Sequence, residues 1–97
     1  MDQPIACTLS AADYARRMRD TRELARRALV SRQPILDGAR LTFAPGADIE
    51  RRLRTIIAAE ARCCAFLRMD LRRATDALVL EVTGPAEADP IIAELFA

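Results

Sequence analysis

Three thiols and one carboxylate carry the chemistry that this sequence offers. Cys63 and Cys64 are adjacent in "AAEARCCAFLRMDL", residues 58–71, and Glu60 precedes them by three and four positions. On a helix both spacings put side chains on one face. The remaining cysteine, Cys7, stands in "PIACTLS" near the other end of the chain. Thiolates prefer soft ions: two satisfy linear Hg(II) or Cu(I), and three satisfy trigonal As(III) or Hg(II). Zn(II) takes four ligands, so three thiols would need Glu60 or water beside them, and the C-x-x-C spacing of zinc ribbons is absent. The expected metal ligands are therefore Cys7, Cys63 and Cys64, with Glu60 as proton acceptor or as a neighbour that tunes the thiols.

The same residues support other chemistry. Cys63 or Cys64 as a nucleophile with Glu60 as acid/base would make a thiol enzyme. Cys7 as a resolving thiol would make a redox sensor. A disulfide between the adjacent pair has a strained ring that does not fit a regular helix, so its closure would unravel residues 63–66. Packing is the plain alternative, because free cysteine behaves as a small hydrophobe. Adjacent helical side chains diverge by roughly 100°, however, so Cys63 and Cys64 cannot both be central in a core. Arg62 and Arg68 flank the pair and favour thiolate, whereas the C-terminal end of a helix disfavours an anion. The expected partner of Glu60 is Arg52, Arg54 or Arg62, at the edge of its helix.

Composition narrows the classes. The 97 residues are 52% hydrophobic and 30% charged, which specifies one globular domain over 1–97. No histidine is present, which removes imidazole bases, histidine metal ligands and Cys-His pairs. All 15 basic residues are arginine and 14 acids oppose them, so the net charge of +1 provides no global field toward nucleic acid. Acids at Asp13, Asp20 and Glu23 interrupt the arginines near the N-terminus, which reads as a solvated helix surface. No apolar run approaches the roughly 18 residues of a membrane span. The first residues lack a basic segment followed by an apolar one, so the expected location is the cytoplasm, where thiols stay reduced.

The elements that must position the thiols follow from periodicity. "PIACTLS" alternates and predicts a short strand with Ile5, Cys7 and Leu9 on one side. Ser10 and Asp13 form a capping box for a helix over residues 11–30, with Tyr14, Met18, Ala25 and Leu29 as its stripe. "SRQPILDGA" reads as a connector with an Asp37-Gly38 turn. "RLTFA" is a strand burying Leu41 and Phe43. Asp48 is the expected cap of a helix over residues 49–65, with Ile49, Leu53, Ile56, Ile57 and Cys64 on its apolar stripe. Leu67, Met69 and Leu71, then Leu78, Leu80 and Val82, alternate on either side of "ATDA" and predict a hairpin. A short last helix holds Ile91, Ile92, Leu95 and Phe96, with Pro90 in or before its first turn. The order β-α-β-α-β-β-α predicts an α+β fold, a two-layer α/β sandwich with helices on one face of a small, largely antiparallel sheet.

These segments together resemble a family of small bacterial proteins with a signature like Glu-x-x-Cys-Cys-Pro-Phe, followed by a hairpin and a Thr-Gly-Pro turn. Glu60, Cys63, Cys64, Phe66 and "TGP" at 83–85 match, and "IACTLS" at 5–10 is similar to the usual opening. Ala65 stands where the family has proline. Similar segments are appended to regulators resembling the mercury-responsive family, so the resemblance implies a link to heavy-metal handling. The expectation is a small thiol protein that binds a soft metal or metalloid such as Hg(II), As(III), Zn(II) or Cu(I). A homodimer or a regulator is the expected protein partner. The alternative is an interaction or dimerisation module with structural cysteines.

Overall fold

Apolar residues at every second position of two central strands decide the architecture. In the computed structural model, which describes residues 11–63 and 65–97, the elements are α1 (Ala11–Ala28), β1 (Leu29–Ile35), β2 (Gly38–Phe43), α2 (Ala47–Cys63), β3 (Arg68–Ala74), β4 (Ala77–Thr83) and α3 (Asp89–Glu94). A single 3₁₀ turn over Ala86–Ala88 leads into α3. The strands form one antiparallel sheet in the order β1-β2-β4-β3. Ala39, Leu41 and Phe43 of β2 share a face with Leu78, Leu80 and Val82 of β4, and all six are buried. Leu24 and Ala28 of α1, Leu53 of α2, and Ile92, Leu95 and Phe96 from the end of the chain cover that face. Each fully buried Leu or Phe stabilises the fold by about 1.5–3 kcal/mol. The opposite face is polar, and there Arg40 Nε donates to Glu81 Oε2 at 2.8 Å. The fold is therefore α+β, a two-layer sandwich with its helices on one side.

Local rules account for the helices. In α1, Asp13 sits in the first turn and Arg26 and Arg27 in the last; in α2, Asp48 and Glu50 begin the helix and Arg62 ends it. Both charge orders complement the helix dipole. Pro90 lies in the first turn of α3, as the sequence predicts. Among the described residues no helix is long and apolar enough to cross a membrane.

Several expectations change. "LVSRQPI", read mostly as connector, is the edge strand β1, joined to β2 by a turn at Leu36 and Asp37. Only its end residues are partly covered, so it has no apolar face to betray it. The buried stripe of α1 is Met18, Thr21, Leu24 and Ala28, while Tyr14 is exposed. Thr21 tolerates burial because its hydroxyl donates to the Met18 carbonyl at 3.0 Å. Asp48 lies inside α2, which starts at Ala47, and its carboxylate accepts from Arg51 at 2.7 Å instead of capping the helix. α2 ends at Cys63, two residues earlier than expected. The strand expected around Cys7 and the Ser10 cap lie outside the described residues.

Two positions close the core. A Cβ on Gly38 would stand 1.8 Å from the Val82 carbonyl oxygen, a backbone atom that cannot move aside. Phe96 adopts φ 60° and sets its ring edge-on to Phe43, with centroids 5.2 Å apart. Gly38→Ala is expected to destabilise the protein by about 1–3 kcal/mol through overpacking, and Phe96→Ala by about 3–5 kcal/mol through a core cavity. Urea denaturation of the two variants checks both values.

Candidate functional site

The second layer brings the thiol-bearing end of α2 beside α1. Leu53, Ile57 and Glu60 follow one another at helical spacing, and the carboxylate of Glu60 is consequently drawn into the interface. Glu60 is 5% exposed. It is not an edge carboxylate and it does not pair with Arg52, Arg54 or Arg62. Its partner is Arg17 of α1, whose Nη1 stands 3.4 Å from Glu60 Oε1. A buried carboxylate without such a cation would forfeit its hydration with nothing in return. Reasoning from sequence missed Arg17 because α1 carries six arginines, and only the packing of two helices selects one of them. The available signal was the acid itself: on an apolar stripe it demands a cation from another element.

The two helices run in opposite directions. Arg17 meets Glu60, and further along α1 Asp20 shares a cleft with Arg52 and Ile56 of α2. The start of α1 and the end of α2 therefore lie at the same end of the molecule. Cys63 is the last residue of α2, one turn beyond Glu60. Arg62 and Arg68, the flanking cations, are both exposed. Tyr14, one turn before Arg17, reaches α3 at this end, its hydroxyl 3.5 Å from Glu94 Oε2. Cys7 and Cys64 lie outside the described residues, and so do any contacts among the three thiols. Among the described residues no three His, Cys, Asp or Glu side chains gather as a metal site would require.

Two further polar clusters lie elsewhere. Glu50 accepts from Arg73 at 2.7 and 3.0 Å in a two-pronged pairing, and from Arg54 at 3.1 Å. The Arg73 hydrogen bonds, then those of Arg54, hold the Glu50 carboxyl below its ordinary range despite some desolvation. Arg32, on the core-facing side of β1, donates to the Ile92 and Leu95 carbonyls at the end of α3. Burial lowers the Arg32 pKa. Beside it a groove of about 510 Å³ runs between the β1–β2 hairpin and α3.

Comparison of the chain with known protein families, curated proteins and solved structures finds no match.

Two measurements follow from these pairs. Arg17→Met is expected to cost about 1–3 kcal/mol, because it strands a buried carboxylate. Adding Glu60→Gln should recover part of that loss in a double-mutant cycle by chemical denaturation. A cost unchanged in the double variant would assign the contribution of Arg17 to other contacts. Glu50 sets a pH dependence. Its folded pKa is depressed, so its contribution is present above the ordinary value of 4.5 and is lost as pH falls through the folded value. The stability difference between wild type and Glu50→Gln should be flat above that ordinary value and shrink below it.

Proposed function

We propose that this protein binds a soft metal or metalloid ion, of the Hg(II) or As(III) class, through Cys63 and Cys64 with Cys7 as third ligand. The observation that carries this reading is the antiparallel packing of α1 on α2. It puts the end of α2, where Cys63 stands, level with the start of α1. Cys7 precedes Ala11 by four residues, a span of at most ~14 Å even when fully extended. That reach supports a site shared by Cys7 and the adjacent pair Cys63 and Cys64.

Glu60 and Arg17 supply the electrostatics. A thiolate at a helix C-terminus meets the negative end of the dipole, and a bare carboxylate one turn back would add to that penalty. Arg17 neutralises the carboxylate, and Arg62 and Arg68 add positive charge nearby. Binding a soft cation displaces the thiol protons, and Glu60 is the acceptor placed one turn from Cys63. As cargo, As(III) requires all three sulfurs, whereas Hg(II) is already satisfied by two.

Titration of the reduced protein with Hg(II) and with arsenite, with free thiols counted after each addition, tests the reading. One ion per chain should protect the thiols. Cys63→Ser/Cys64→Ser should abolish binding of both, and Cys7→Ser should weaken arsenite far more than Hg(II). Equal binding by the double serine variant would overturn the assignment.

A further inference from the structure

Among the described residues the sheet has two unpaired edges, and they are not alike. At β1, Val30 is an unpaired bulge between Leu29 and Ser31, and Pro34 provides no N–H. Both devices block the addition of another strand. At β3 neither is present. Arg68–Ala74 is seven residues long, contains no proline and pairs with β4 in unbroken register from Arg68↔Thr83 to Ala74↔Ala77.

The direction of the free backbone groups follows from that register. Ala74 and Ala77 close a two-residue turn and form a hydrogen-bonded pair. Alternation along the ladder then turns the N–H and C=O of Arg73, Leu71 and Met69 away from β4, toward the open edge. The side chains of Arg68, Asp70 and Arg72 stand on the polar face, and all three are exposed.

The charges on this strand are unbalanced within one chain. Asp70 lies directly across from Glu81, a like charge that is already paired with Arg40 at 2.8 Å. Arg72 lies across from Val79. Neither the Asp70 nor the Arg72 side chain has an ion pair or hydrogen bond among the described residues. We infer that the edge of β3 pairs with the same edge of a second copy, across a two-fold axis through Leu71. In that register Leu71 faces its own copy as a hydrogen-bonded pair, and Asp70 of each chain stands opposite Arg72 of the other. Each orphan charge then gains one partner, and the pair forms twice, in the closely spaced non-hydrogen-bonded positions where cross-strand side chains interact best.

Neighbouring registers are worse. Centring the axis on Asp70 opposes Asp70 to itself and Arg68 to Arg72. Centring it on Arg72 or Arg73 opposes like arginines. Only the Leu71 register overlaps all of β3 with itself and matches charge. The axis is perpendicular to the sheet, so the helices of both copies cover the same side. Two four-stranded sheets become one sheet of eight strands with a single polar face.

Light scattering coupled to gel filtration tests this on the full chain. The wild type should run at twice 10.7 kDa. Asp70→Arg and Arg72→Asp should each raise the dissociation constant about tenfold or more, and the combined swap should restore the dimer. Asp70→Arg faces Glu81 favourably, so its monomer stays folded, which far-UV circular dichroism verifies. A monomeric wild type, a dimer indifferent to the single changes, or a double swap that remains monomeric would each overturn the proposal.

Discussion

The fold depends on one constraint: two central strands must present a dry face and a wet face at once. β2 and β4 meet this by strict alternation, with Leu41 beside Leu80 and Phe43 beside Leu78 on one side and Arg40 beside Glu81 on the other. A shift of one residue in either strand would turn Arg40 or Glu81 into the core, break their pair and expose that strand's apolar residues. Everything else is arranged to cover the dry face. α1 and α2 are laid over it, and the last residues of the chain fill the space that remains around Phe43. Gly38 is part of the same constraint, since the hairpin can approach β4 closely only where no side chain intervenes.

Elements that bury a periodic face were legible, and elements that bury little were not. α2, the β3–β4 hairpin and α3 each carry apolar residues at the spacing of their structure, and the sequence predicts all three to within about two residues at their described ends. β1 has no such signal. Its inner residues are exposed, its interior includes a proline, and it is a strand because β2 has an edge to offer. The α1 stripe was misplaced for a related reason. Arginine and alanine fill most of that helix, so a buried threonine with a local hydrogen bond decides the phase more than any hydrophobe does.

The candidate site shows the same division. That Glu60 shares a face with the cysteine-bearing end of its helix is readable from spacing alone. That it is buried, and that Arg17 answers it, comes from the packing of two helices that are 43 positions apart at this contact. Acids on apolar stripes are therefore better read as half of a pair whose other half lies on an unknown element. The Glu50 cluster reinforces the point, since Arg54 is a helical neighbour visible in sequence but Arg73 arrives from β3.

The anchoring of α3 has a consequence for how the molecule comes apart. α3 is six residues long and has no side-chain cap, far too short to persist as a helix by itself. Yet the segment that it begins delivers Ile92, Leu95 and Phe96 to the core, and Arg32 clasps its final carbonyls. Such a segment cannot fray independently, since releasing it uncovers Phe43 and strands a guanidinium that the carbonyls had satisfied. Its amides should exchange with solvent on the timescale of the whole domain, not that of a loose end. A short, weak helix thus makes unfolding more cooperative, because its stability is borrowed entirely from the sheet that it closes.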